Sequence, residues 1–360
     1  MRILFVFSTR SMGGMETRAA RVARLARKRG HHVLFGCLPG STLDGQLAQF
    51  GIPRFGLYIH GSADIASSLQ LYRYLKRERP DVVMAFSGKD YWMTILAAKL
   101  AGTPVVLNRS TASALRSISV PVARRADAVF AVSQGIKDIL VGQGMPEGLV
   151  QVIHVGVNTS VFSPTAVAPR ERIRADMGIA PDAFVVGCLG RKGKGQEDLL
   201  TADTHLGAAC PGVRYFFAGE EMPQHLAPLI DSRPGLRERV TVRELIPHSQ
   251  IPAILRALDV VAMTPEREPF SNAVLEAMAM EKPLILSRTL GNIEAVVEGE
   301  SGRLVAAGDV TAIGADLVML YQDPVQRKAM GKRAGERVRE LFSEEAMMSA
   351  LERSWAAVAG

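Results

Sequence analysis

Cysteine is scarce in this chain of 360 residues: Cys37, Cys188 and Cys210 stand far apart, with no CxxC pair. That spacing excludes a disulfide framework and a thiolate metal site, and it predicts reduced core thiols in a reducing cytoplasm. No apolar run approaches the length of a membrane span. The apolar stretch within Met1–Ser8 is too short for a signal peptide and reads as a strand. Two nucleotide motifs are missing: GxGxxG, which removes a dinucleotide fingerprint, and Gly-Lys-Ser/Thr, which removes a P-loop. Asp-x-Asp is also absent, so the sequence offers no acidic pair of that spacing to hold a metal, and no metal ligands are expected.

What remains is an ordinary globular composition, 48% hydrophobic and 22% charged, in a chain long enough for two domains with separate cores. Short apolar runs alternate with helical patterns. Ile3–Ser8, Val33–Leu38, Arg54–Ile59, Val82–Phe86, Val105–Asn108, Ala128–Ser133 and Val150–Val155 read as strands. A prolyl, small-residue stretch over Thr165–Pro169 reads as a linker. The pattern then restarts with strands at Phe184–Leu189, Arg214–Ala218, Val240–Leu245, Asp259–Thr264 and Leu284–Ser287, and closes with helices from Asp309. Runs apolar on both faces and interleaved with helices predict parallel, doubly wound α/β sheets, one in 1–165 and one in 166–342.

In such sheets ligands bind beyond the carboxyl ends of strands, and two junctions there are rich in chemistry. After Phe184–Leu189 comes Gly190-Arg191-Lys192-Gly193-Lys194-Gly195, three glycines and three cations that can cradle a diphosphate at a helix start. After Asp259–Thr264 come Glu268 and, in the helix predicted over Ala273–Met280, Glu276. The two carboxylates can meet different parts of one elongated ligand, while the amides of Phe270, Ser271 and Asn272 carry the positive end of the helix dipole. In the first half, Gly13-Gly14 after the first strand lets backbone approach a ligand. The loops holding Lys89 and Asn108-Arg109 sit where an acceptor would arrive.

Glu268-x7-Glu276 with Phe270-Ser271-Asn272 inside it, followed by the frame Glu281–Ser287, Gly291–Glu294 and Gly302–Val305, resembles the signature of retaining GT-B glycosyltransferases of family 4. Gly13-Gly14-Met15-Glu16 and His154–Pro164 are similar to further segments of that family, with Asn158 where an aspartate is usual. The resemblance implies two Rossmann-like domains facing across a cleft, and a C-terminal helix over 343–360 that packs back on the first. It implies transfer of a hexose-type sugar, with retention, from a UDP-, GDP- or ADP-sugar to an acceptor hydroxyl, with no cofactor beyond that donor. Arg191 and Lys194 would hold the diphosphate, with Lys192 a competitor. Glu276 would take the ribose hydroxyls, Glu268 the donor sugar, and the backbone of Leu245 and Ile246 the base. The histidine common in the family near Asn108-Arg109 is missing here.

Charge is unevenly shared. Residues 1–165 hold 20 Lys and Arg against 9 Asp and Glu, a net +11, whereas the remainder carries −4. Arg18, Arg21, Arg24, Arg27, Lys28 and Arg29 concentrate it on one helix. Two readings stand side by side: a solvated basic face, or docking on an anionic membrane surface on the inner side of a cell envelope. No nucleic-acid motif accompanies the charge. The acceptor expected is a cell-envelope glycan or lipid-linked species. A small soluble acceptor, a two-carboxylate glycoside hydrolase and a non-catalytic nucleotide-sugar module are the alternatives.

Overall fold

The computed structural model describes residues 1–10, 14–61 and 64–360, which form two compact units, Met1–Val155 with Glu345–Gly360, and Gly156–Glu344. In the first unit the order is β1 (Arg2–Phe7), α1 (Gly14–Lys28), β2 (His32–Cys37), α2 (Thr42–Gln49), β3 (Arg54–Gly56), α3 (Ile65–Glu78), β4 (Val82–Ala85), α4 (Tyr91–Ala101), β5 (Val105–Arg109), α5 (Val120–Ala123), β6 (Ala128–Ala131), α6 (Gln134–Gly142) and β7 (Val150–Val152). The second contains α7 (Arg170–Asp176), β8 (Val185–Leu189), α8 (Gln196–Ala202), β9 (Arg214–Ala218), α9 (Met222–Asp231), β10 (Val240–Arg243), α10 (Ile251–Ala257), β11 (Val260–Met263), α11 (Asn272–Ala279), β12 (Leu284–Ser287), α12 (Leu290–Ala295), β13 (Arg303–Val305), α13 (Val310–Gln322) and α14 (Pro324–Leu341). The last helix, α15 (Glu344–Ala359), returns to the first unit.

Both sheets are parallel throughout. Their orders are β3-β2-β1-β4-β5-β6-β7 and β10-β9-β8-β11-β12-β13. Central strands such as Val82–Ala85, Val260–Met263 and Leu284–Ser287 are buried at every position, because helices cover both faces and no face is left for polar alternation. Strand order reverses between β1 and β4, and again between β8 and β11. Each reversal opens a crevice at the carboxyl ends of the strands.

The sequence placed the first boundary at Thr165, whereas the first unit ends at Val155. The stretch that follows is structured: the Val157 amide donates to Phe342 O (2.9 Å), and the Glu344 amide donates to Val157 O (3.0 Å). Gly156 permits this contact, since a side-chain Cβ there would lie 2.8 Å from backbone atoms of Ser343 and Glu344. Edge strand β13 was not anticipated. Three residues long and opening on Arg303, which pairs with Asp316 at 2.8 Å, it has too little apolar pattern to read as a strand.

Arg18 corrects the picture of a uniformly basic helix face. It is 4% exposed, its Nη1 donates to Ser110 Oγ at 3.1 Å, and burial followed by Arg21 pulls its guanidinium down to about 9. Other cations of α1 are also engaged inside the unit: Arg24 lies over the Phe50 ring, Arg27 donates to Gly51 O, and Arg29 pairs with Glu345 and Glu352. The cysteines are free and buried, and burial pushes the Cys37 and Cys188 thiols up to about 12.

The C-terminal helix is anchored by Trp355, which is fully buried at 6.0 Å from the Phe5 ring and edge-on to His31. Around it His31 and Arg29 both bond Glu352, at 3.0 and 2.6 Å. Replacing Trp355 by Ala empties a core site lined by Phe5 and its neighbours, and is expected to cost about 3–5 kcal/mol. A urea melt of the variant reads this directly; a midpoint within error of wild type would mean that α15 contributes little to the first core.

Candidate functional site

In the second unit the crevice between β8 and β11 is built by glycine geometry. Gly190, Gly193 and Gly195 take φ of 142°, 81° and 87°, conformations that side-chained residues avoid. Gly195 is also pressed against the end of β11. A Cβ there would overlap Thr264 Oγ1 and lie 2.8 Å from the Thr264 nitrogen. Thr264 N–H donates to Lys194 O at 2.9 Å, tying the loop after β8 to the strand beside it.

Gln196, fully buried, holds the loop from inside. Its Nε2 donates to Arg191 O (3.0 Å) and its Oε1 accepts from the Lys194 amide (2.8 Å). Sequence reading passed over it, since a Gln at a helix start carries no distinctive signal. The result is that Lys194 points at Glu268, Nζ to Oε2 at 2.5 Å, with the Glu268 side chain 7% exposed and that of Lys194 27%. Lys192 faces away and reaches Glu221 only at 3.8 Å, both side chains being largely exposed. Arg191 is exposed, and among the described residues no ion pair engages it.

Glu268 is itself pinned by α12, because the Gly291 amide donates to Glu268 O at 3.0 Å. Glycine is needed at 291: a Cβ would overlap Pro269 O and lie 2.8 Å from Phe270 Cα. Helix α11 starts one residue earlier than the sequence suggested. Ser271 is its N-cap, with Oγ accepting from the Val274 amide at 3.4 Å. That leaves the amides of Asn272 and Ala273 without helical partners. Phe270, 7% exposed, instead packs its ring edge-on against Phe342, centroids 5.2 Å apart. The Asn272 Oδ1 is buried without a hydrogen-bond partner.

The fifth residue of this eight-residue helix, Glu276, is 6% exposed and its Oε1 meets His248 Nε2 at 2.9 Å. The His248 side chain is 61% exposed and its ring stands edge-on to Phe162 at 5.4 Å. His248 was missed from sequence because it lies 28 positions from its partner in a loop after β10. Leu245 and Ile246, expected to offer backbone to the base, lie just before His248 in the same loop. Leu245 is 79% exposed, and both line a cavity of about 730 Å³ with Ile173, Met177 and Ile254.

The remaining candidates belong to the first unit. Gly13 lies outside the described residues, and Gly14 is the first residue of α1. Asn108 is 2% exposed; its Nδ2 donates to Ser110 Oγ (2.8 Å), its carbonyl accepts from Tyr91 Oη (2.7 Å), and its Oδ1 is unpartnered. Arg109 is 7% exposed and donates to the carbonyl of Ser113 in its own loop. Lys89 Nζ sits over the Tyr58 ring at 5.7 Å. Beyond the ends of β1 and β4, Asp90 is fully buried. It accepts from Ser8 Oγ (2.5 Å) and the Ser8 amide (3.0 Å), and burial raises its carboxyl above the usual range.

Comparison with known proteins places this geometry. The model described as Glycosyltransferase Family 4 matches residues 12–161, and that described as Glycosyl transferases group 1 matches 169–337. The chain is 30% identical over 287 residues to alpha-maltose-1-phosphate synthase of Mycolicibacterium smegmatis, covering 70% of this chain and 73% of that protein. It is 31% identical over 214 residues to a D-inositol 3-phosphate glycosyltransferase of Segniliparus rotundus, covering 58% and 47%. The chain thus spans about half the length of that relative. Among solved structures, Anabaena Alr3699/HepE in complex with UDP superposes with a TM-score of 0.88 at 22% identity, over 99% of this chain and 100% of that one.

The loop geometry makes a stability prediction. At Gly193 a Cβ meets nothing within 4 Å, so Gly193→Ala should cost only the left-handed backbone, about 1–2 kcal/mol. Gly195→Ala adds the overlap with Thr264, and should cost about 1–3 kcal/mol more. Equal costs in paired urea melts would show that the loop is not pressed on β11.

Proposed function

Because the chain belongs to the family 4 glycosyltransferases and has their GT-B architecture, we propose that it transfers a hexose-type sugar from a nucleotide diphosphate donor to an acceptor hydroxyl, with retention at the anomeric carbon. The observation that carries this reading is the set, at one switch point, of a cationic glycine loop, a helix N-terminus and two buried carboxylates, Glu268 in the loop before α11 and Glu276 within it.

The chemistry follows from those groups. Departure of the nucleotide diphosphate leaves negative charge on phosphate oxygens, and donors already fixed in place stabilise it without reorganisation. Arg191, exposed on the loop, and Lys194 supply cations, and the Asn272 and Ala273 amides add dipolar charge of the same sign. Lys194 is held by Glu268 until an anion arrives to share its ammonium. Glu268 then accepts a hydroxyl of the donor sugar, which fixes the ring for attack. Glu276 accepts the ribose hydroxyls, and His248 must yield its hydrogen bond for this to occur. This set of charges supports a mechanism that needs no metal.

The donor base is proposed as uracil on the strength of the UDP bound by the Anabaena neighbour. For the acceptor, a cell-envelope glycan or lipid-linked species remains the first reading. The second, a small soluble acceptor, is favoured by two observations. Relatives are named for maltose-1-phosphate and inositol 3-phosphate, and the α1 arginines that suggested a membrane surface are engaged within their own unit. No helix among the described residues is long and apolar enough to cross a membrane. Family membership sets aside the glycoside hydrolase, which would release free sugar without acceptor.

The test is thermal shift with UDP, GDP and ADP, followed by calorimetry of the best one on Glu276→Ala. Loss of hydrogen bonds to a charged group should weaken binding by about 10–100-fold while leaving the melting temperature of the free protein nearly unchanged. Near-wild-type affinity in the variant would remove Glu276 from the donor site. No shift with any of the three would sink the donor assignment itself.

A further inference from the structure

A cavity of about 390 Å³ opens at the other end of the second sheet, where Asp259 precedes β11 and Pro283 precedes β12. These are the amino ends of the strands, opposite to the edge that carries Glu268. Six cations line the cavity (Arg170, Arg256, Lys282, Arg327, Lys328 and Lys332) against two carboxylates, Asp259 and Glu281.

Asp259 offsets Arg170 and, at 4.0 Å, Arg327, which leaves the other lining cations without it. Asp259 is saturated by Arg174 (2.7 Å), Arg170 and the Val185 amide (2.8 Å), and Glu281 pairs with Arg339 at 3.3 Å. Arg327 and Lys282 spend their donors on carbonyls. Arg327 Nη1 reaches Leu320 O at 2.6 Å, and Lys282 Nζ reaches Leu258 O at 2.8 Å and Arg256 O at 3.1 Å. The Nε groups of Arg170 and Arg256 are buried and have no acceptor. No ion pair engages Arg256 or Lys328 among the described residues.

Lys282 registers the resulting potential. Burial first, then Arg170, Arg256 and Arg174 against the opposing pull of Asp259, bring its ammonium down to about 7. Helix α14, 18 residues long, begins at this cavity with its positive dipole end. Excess cations around a concave pocket, with buried N–H groups that lack acceptors, are complementary to a tetrahedral oxyanion.

We propose that this cavity is a second anion site, distinct from the donor crevice, which binds a phosphate group through Arg256, Lys328 and Lys332 with Arg170 at its base. The phosphate is either free in solution or the head of an anionic lipid. Binding there neutralises the crowded cations and stabilises the second unit by mass action.

Thermal shift with inorganic phosphate, referenced to chloride at equal ionic strength, tests it. The wild-type protein should gain several degrees, Arg191→Gln, which weakens any phosphate contribution from the donor loop, should keep most of that gain, and Arg256→Gln/Lys328→Gln should lose most of it. Lys332→Gln, on the exposed flank of α14, serves as a milder second variant with a reduced shift expected. A phosphate shift absent from wild type, unchanged in the double variant, or lost in Arg191→Gln but kept in the double variant overturns the proposal. Sedimentation with vesicles of phosphatidic acid against phosphatidylcholine separates the sources. Binding to the first that the double variant loses assigns a lipid head, and its absence beside an intact phosphate shift assigns free phosphate.

Discussion

The second unit depends on one close approach: Gly195 against Thr264. A single methyl group at that point would overlap the threonine hydroxyl, so backbone alone closes the space between the loop after β8 and the end of β11. The contact is what converts a basic turn into a site. It sets Lys194 O on the Thr264 amide and, through Gln196, fixes the Lys194 amide as well. With the backbone held at both atoms, the side chain starts from a fixed point, and its ammonium is held by the Glu268 carboxylate. A lysine free to sample its rotamers would forfeit up to about 2 kcal/mol on being ordered by a ligand; here the fold has already met that cost.

The same logic recurs at each wall of the crevice. Glu268 is delivered by a loop that Gly291 allows to pack flush on α12, and Glu276 by a helix capped by Ser271. Both carboxylates are almost fully buried, and each is satisfied by a single nitrogen group, an ammonium or an imidazole. Such partners are replaceable. A buried carboxylate with no partner would be costly to keep, and one locked in a bidentate guanidinium pair would be costly to open. Lys194 and His248 hold the two acceptors oriented, yet each side chain keeps solvent access through which a ligand can displace it.

Much of this was legible in the sequence, for a physical reason. Parallel strands buried on both faces leave continuous apolar runs, so VVAM and LILS announce themselves, and the strand-to-loop junctions that follow must be the ligand edge. The junctions that carry Glu268, Glu276 and the glycine loop were therefore readable from position, while the roles proposed for these residues came from the family resemblance. The partners were not. His248 meets Glu276 through topology rather than spacing, and Gln196 acts through backbone bonds that any helix-start polar residue might make. Arg18 misled because helical periodicity reports which side of α1 a residue occupies, not whether a neighbouring strand end such as Ser110 waits there to bury it. The short edge strand β13 escaped because three residues cannot show a period.

Charge in the second unit is segregated rather than sparse. Residues 156–344 carry a net −3, 22 Lys and Arg against 25 Asp and Glu, and yet six cations crowd one cavity at the amino ends of the strands. Part of that crowding is architectural. Arg174, 1% exposed, gives five hydrogen bonds to Ala257, Ala180, Pro181, Ala183 and Asp259, and so ties the segment leading into β8 to the start of β11. Lys282 caps the carbonyls at the end of α10 in the same way. These two account for buried cations whose donors are used. Arg256 and Lys328 have no such employment, and placing them beside an already positive cluster raises the repulsive energy of the fold with no compensating bond. Arg256 and Lys328 lie adjacent without an ion pair, and the Arg256 Nε is buried with no acceptor; that combination, rather than the cation count, singles out the cavity from an ordinary basic surface.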